Sequence, residues 1–138
     1  MTVPTPLFFY GYLPGGVPDT PPVQVNDGLF NAEDHGVVSE GALAVSMTDV
    51  RVHYATLAAA DTVLSLSAAV GLDVLVTGVL WLTQDEIGLR MVTFPDNIRW
   101  QGGFSPSLST EPGATDVLQF QTRDGGLTWL AAIAMQVA

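Results

Sequence analysis

Apolar and polar side chains alternate with a period of two through most of the chain beyond residue 42, and no segment sustains the 3.6-residue period of a long amphipathic helix. In Leu43-Ala44-Val45-Ser46-Met47 and Val50-Arg51-Val52-His53-Tyr54 every second position is apolar, and in Val63-Leu64-Ser65-Leu66-Ser67 leucines alternate with serines. Such runs read as half-buried strands, with Val50, Val52 and Tyr54 facing the core and His53 facing water. Residues 72–82 are rich in β-branched and large apolar side chains, which suit a strand or strand pair buried on both faces. A helical turn competes only over residues 55–60, and the Thr62-Val63 step with the serines beyond it favours a pleat. Residues 89–94 read as a strand stopped by Pro95-Asp96-Asn97; Ile98-Arg99-Trp100 resumes it, and Gly102-Gly103 turns the chain. Residues 116–122 and 127–135 flank Arg123-Asp124-Gly125-Gly126, whose glycines can take the positive φ of a tight hairpin. The expected fold is all-β, a small antiparallel β-sandwich or barrel.

The chain has 138 residues, enough for one domain with a real core. Its first 22 residues hold six of the nine prolines, Pro4, Pro6, Pro14, Pro18, Pro21 and Pro22, which fix φ and remove backbone donors. Residues 1–22 are therefore an extended proline-rich arm, and residues 23–138 a single β domain. Within the arm, Leu7, Phe8, Phe9, Tyr10 and Tyr12 form an aromatic run suited to docking, on the chain's own domain or on a partner subunit. Residues 23–41 are turn-rich, with Asn26-Asp27-Gly28 followed by Asn31-Ala32-Glu33-Asp34-His35-Gly36.

Charge narrows the function classes. Four arginines and no lysine stand against fourteen acids, a formal net charge of −10, and charged residues make only 13% of the chain, about half the usual ~25%. Four scattered cations (Arg51, Arg90, Arg99, Arg123) cannot build the basic stripe that displaces counterions from phosphates, so neither nucleic acid nor an anionic lipid surface is an expected partner. Without cysteine the chain has no disulfide, thiolate nucleophile or thiolate metal site. The opening residues lack a basic segment and an apolar run, so no secretion signal is expected. The apolar stretch 62–83 contains Asp73, which a lipid-embedded helix would bury at a cost of ~3 kcal/mol, so no membrane insertion is expected.

Candidates for chemistry are few. His53, with Asp49 and Asp61 near it in sequence, is the one arguable general base, but no glycine-flanked serine elbow accompanies it. Asp85-Glu86 and Asp96 lie in turns, where carboxylates cap backbone groups more readily than they flank a glycosidic bond. Asn26, Asp27, Asn31, Glu33, Asp34 and His35 gather oxygen donors and one imidazole in a single loop, a set closer to calcium than to zinc, without the spacing of an EF-hand. A solvated loop is the simpler reading, so no metal ligand, cofactor or catalytic residue is assigned. Trp81, Trp100 and Trp129 read as core or interface side chains. Gly102-Gly103 and Gly125-Gly126 lack the following helix that a phosphate cradle requires.

One ordered set of motifs goes further. Leu82-Thr83-Gln84-Asp85-Glu86-Ile87-Gly88-Leu89-Arg90 precedes Val92-Thr93-Phe94-Pro95 and Trp100-Gln101-Gly102-Gly103; Pro106-Ser107-Leu108, Asp116-Val117-Leu118-Gln119-Phe120 and Asp124-Gly125-Gly126-Leu127-Thr128-Trp129 follow. In this order the pieces resemble a module, assigned to residues 86–136, of structural proteins of tailed bacteriophages, found in tail fibres, tail-tip proteins and other appendages. Leu89 stands where that pattern usually has a second glycine. The resemblance implies a non-enzymatic virion protein, made in the host cytoplasm and carried on the exterior of the particle. With no heptad or internal repeat to suggest a shaft, it points to a capsid decoration (cement) or head-spike protein, a homo-oligomer and by analogy a trimer, with the major capsid protein or other virion proteins as partners. The alternative is a tail-fibre or tail-tip domain whose exposed side chains, Trp100 and Phe104 among them, contact a host surface glycan or protein receptor.

Overall fold

The structure, a computed structural model, describes residues 31–138. The proline-rich arm, its aromatic run Leu7, Phe8, Phe9, Tyr10 and Tyr12, and Asn26 and Asp27 lie outside the described residues.

Among the described residues, nine strands and one 3-10 turn follow in order: β1 (Ala32–Val38), β2 (Ala42–Ser46), β3 (Val52–Leu57), β4 (Asp61–Ser67), β5 (Val76–Gln84), β6 (Met91–Thr93), β7 (Ile98–Trp100), the turn Gln101–Gly103, β8 (Thr115–Thr122) and β9 (Trp129–Val137). They form a six-stranded sheet ordered β1-β3-β5-β8-β9-β7 and a three-stranded sheet ordered β2-β4-β6. The fold is all-β, as the alternation requires.

Strand direction departs from the antiparallel expectation. From β1 to β6 the chain changes sheet at every step, so β1, β3 and β5 run parallel in one sheet and β2, β4 and β6 run parallel in the other. Parallel neighbours need a crossover between them, and here the crossover is a strand of the opposite sheet. The result is three coils of a flattened β-solenoid, a structural repeat that the sequence does not display. Coil lengths differ, because the link from β4 to β5 is longer than that from β2 to β3. Antiparallel pairing begins only after the last coil, where β8 pairs with β5 and β9 with β8; β7 then joins β9 in parallel.

The core lies between the sheets. Leu43, Val45 and Leu64 descend from the smaller sheet onto Leu57, Leu80, Leu82, Leu118 and Phe120 of the larger, all nearly or fully inaccessible. Burying a side chain of this size stabilises by about 1.5–3 kcal/mol. At the C-terminal end Phe94, Trp100, Phe120 and Trp129 form a chain of edge-to-face contacts, with centroids 4.8, 6.1 and 6.4 Å apart.

Two local readings are corrected. Residues 72–75 are not strand: Asp73 takes φ 61°, Leu72 and Leu75 are exposed, and β5 starts at Val76. Residues 55–57 complete β3, so the competing helical turn does not form. The C-terminal hairpin does form, with Gly125 and Gly126 at φ 71° and 85°. Its turn is tied by Asp124, whose Oδ1 accepts the Thr128 N–H and the Thr122 hydroxyl; these bonds hold the carboxyl below the usual aspartate range.

Candidate functional site

The module-like segment is held together by its own polar residues. Buried Gln84 donates from Nε2 to the carbonyls of Arg90 and Ser109, and its Oε1 accepts the Arg90 N–H at 2.8 Å. Asp85 accepts the Ile87 and Gly88 N–H groups and a two-pronged contact from Arg90, Nη2 at 2.7 Å and Nε at 3.1 Å. The Arg90 bonds first, and the backbone bonds after them, hold the Asp85 carboxyl down at about 2. Buried Asp116 accepts the N–H and hydroxyl of Ser109, pinning the Pro106-Ser107-Leu108 loop. These acids are structural anchors of loops, in keeping with the reading of Asp85 as a turn former.

What remains free is the outer face of the six-stranded sheet. Register places Asp34, Tyr54, Trp81, Val117 and Met135 in one row across five strands. Tyr54, Trp81 and Met135 are 42%, 45% and 52% exposed. A second row runs Val37, Thr56, Thr83, Thr115 and Val137, and a third Ala32, Val52, Val79, Gln119 and Ala132. A fourth, shorter row carries Thr77, Gln121, Leu130 and Arg99. Across these rows Asp34 at one end and Arg99 at the other are the only charged side chains, although the chain as a whole carries fourteen acids. At the β1 end, Ala32, Val52, Tyr54 and Trp81 line an apolar hollow of about 300 Å³. At the β7 end, Arg99, Gln119, Gln121, Leu130 and Ala132 line a shallow, partly polar depression of about 320 Å³. The face is thus almost uncharged, with apolar side chains interleaved with threonine and glutamine.

The tryptophans divide accordingly. Trp129 is fully buried, and Trp81 stands on the outer face. Trp100, read both as a core or interface side chain and as a possible recognition residue, is half-buried and packed edge-on against Phe94 and Phe120, and it also lines the depression at the β7 end. Phe104, the other such residue, is 84% exposed.

The histidines are not where the alternation put them. His53 is completely buried on the inner face, because β3 has the opposite phase: Tyr54 faces out, while His53 and Ala55 face in. His53 has neither Asp49 nor Asp61 as a partner: the Asp61 carboxylate accepts the Thr93 hydroxyl. The His53 ring donates from Nε2 to the Val50 carbonyl at 2.7 Å, and its Nδ1 lies 2.9 Å from His35 Nε2. The expected solvated loop over residues 31–36 is mostly strand β1, whose Glu33 pairs in register with His53. Glu33 Oε1 lies 3.8 Å from His53 Nδ1, and Oε2 lies 3.8 Å from His35 Nε2. Glu33, His35 and His53 are thus one cluster, joining two segments that were read separately, and Asp34 points away from it to the outer face. Only the pairing of β1 with β3 reveals the cluster, since 18 residues separate its histidines.

No protein-family model, curated protein or solved structure shows significant similarity to the chain. Among the described residues no helix is long and apolar enough to cross a membrane.

Proposed function

We propose that the chain is a non-enzymatic structural protein of a tailed-phage virion, an exterior capsid decoration or head-spike protein that stabilises the particle by covering a neighbouring subunit with its larger sheet. The observation that carries this reading is the broad, almost uncharged outer face in an otherwise strongly acidic chain. A surface with apolar and aromatic side chains at its centre and charge only at its ends has the composition of an interface core. The ordered motifs of residues 86–136 add the virion context by resemblance. Closed symmetry would make the assembly a homo-oligomer, with a trimer favoured, and the major capsid protein its principal partner.

Immunogold labelling of particles with an antibody to this chain tests the placement: label over the head is expected, and label confined to the tail would overturn it. Removing residues 1–22 tests the arm, and should abolish capsid association while leaving a folded domain. Unchanged association would strip the arm of its role.

A second reading, a tail-tip domain that contacts a host glycan or protein, is favoured by the depression at the β7 end. Three glutamines and a guanidinium beside Trp100 and Leu130 line it and set hydrogen-bonding groups next to apolar surface, which is the chemistry of sugar recognition. It predicts adsorption of the isolated chain to host cells, lost on changing Gln119 and Gln121 to Ala.

A further inference from the structure

We propose that Glu33, His35 and His53 form a binding site for one divalent transition-metal ion, with zinc as the ion the donor set suits best. The inference is independent of the virion reading and rests on the geometry of β1 against β3.

The donor atoms of the three side chains all lie within 4.8 Å of one another. Zinc holds nitrogen and oxygen ligands at about 2.0–2.2 Å, so two donors on one ion stand roughly 2.9–3.4 Å apart for angles between square and tetrahedral. The two imidazole nitrogens, 2.9 Å apart, already have that separation. The Glu33 carboxylate, 3.8 Å from each ring nitrogen, has about half an ångström to close. It sits on a half-exposed side chain that is free to make that move and that leaves the ion a path from solvent.

The surroundings orient the ligands as a metal site requires. A carbonyl can only accept, so the bond from His53 to Val50 places the ring proton on Nε2 and leaves the Nδ1 lone pair aimed at the cluster. A histidine ligand that donates its other N–H to a backbone carbonyl is the usual outer arrangement of bound metals. Full burial fixes that ring before any ion arrives. His35 presents Nε2 once its proton moves to Nδ1, which leaves the charge of the ring unchanged. A β-bulge supplies the remaining alignment. The pairing of β1 with β3 shifts between Asp34 and Val37, at Gly36 with φ 69°, and the Asp34 carboxylate caps the Gly36 N–H at 2.7 Å. Without the extra residue, strand alternation could not turn Glu33 and His35 inward and also bury Val38.

Two imidazoles with one carboxylate select a borderline cation over calcium or magnesium, which prefer six or more oxygens. The calcium preference inferred from residues 26–35 alone thus reverses once His53 joins. An ion held here would clip the edge strand β1 to β3 and close the first coil of the solenoid.

The chain has two histidines and no cysteine, so an untagged full-length sample can hold zinc through imidazole at this cluster alone. Calorimetric titration with zinc chloride after chelator treatment should give one ion per chain and a higher Tm. Replacing an outer partner of a metal ligand costs about 10–100-fold in affinity, and replacing a ligand costs at least that. His35→Asn should therefore weaken zinc binding by about a hundredfold or more, and Glu33→Gln by about tenfold or more. Both side chains are partly exposed on an edge strand, so far-UV circular dichroism should stay that of the parent; if either variant misfolds, the other carries the test. Cobalt(II) should give ligand-field absorption that His35→Asn abolishes. The proposal is overturned if zinc does not bind, if the folded variants bind it as the parent does, or if calcium binds more tightly than zinc.

Discussion

Leu89 has φ 59°, the left-handed region, while its side chain is 70% exposed and has little packing to lose. It follows Gly88, at φ 78°, and its N–H reaches the Thr110 carbonyl at 2.8 Å, so the turn geometry is set by the backbone. A non-glycine residue in this region costs roughly 1–2 kcal/mol. Leu89→Gly should therefore stabilise the protein by up to about 1 kcal/mol in chemical denaturation, part of the relief being offset by the entropy of an added glycine. Leu89 thus meets a backbone requirement of this turn under strain. Gly78 is the converse case: it pairs with Phe120, and a Cβ there would strike the Met47 sulfur and approach the Arg51 carbonyl. Gly78→Ala should destabilise by about 1–3 kcal/mol, and a midpoint equal to that of the parent would show that Met47 can move aside. Thr62 carries a fully buried hydroxyl with no hydrogen-bond partner. Thr62→Val should raise Tm, because the lone hydroxyl lost its hydration on folding without gaining a bond.

Among the elements, β4 was legible in position and phase, β3 was legible as a strand but not in its phase, and β1 was not legible, for a physical reason. In β4 the leucines face in and the serines out, so its alternation has one phase. In β3 the outward Val52 and Tyr54 are as apolar as a core strand, because the face they share is itself apolar, and the polar inward residue is His53. Alternation reports a phase only when one face is wet, which is why the burial of His53 was hidden. β1 hides itself twice over, through inward polar side chains and a bulge that breaks its period. Strand direction was equally hidden, since alternation carries no polarity and the solenoid becomes visible only through the pairing. The loop joining β5 to β6 makes its own prediction. The Asp85 carboxyl sits at about 2, against an ordinary 3.8, because Arg90 and the backbone N–H groups favour its charged form. Its contribution to stability is complete above the ordinary value and is lost as pH falls from there through about 2. The stability difference between the parent and Asp85→Asn should be constant above pH 5 and shrink steadily below pH 4. A difference that does not change with pH in denaturation curves would mean the carboxylate contributes nothing through its charge.

At the scale of the molecule, the two ends of the chain's charge balance serve different surfaces. A net charge of −10 keeps the free surfaces of neighbouring molecules apart, while the outer face of the large sheet carries an acid, Asp34, only at its β1 edge. The low overall proportion of charged residues was legible from composition, but the gathering of uncharged side chains on one face was not, because its rows are drawn from six strands spread over the chain. The central claim is that this face is where the protein seats on its particle. Co-sedimentation of the full-length chain with assembled phage heads that lack it measures this directly, comparing the parent with Trp81→Asp. The account predicts that the parent pellets with heads, and that the variant, with an unchanged circular dichroism spectrum, stays in the supernatant. Equal sedimentation of the two proteins would contradict it.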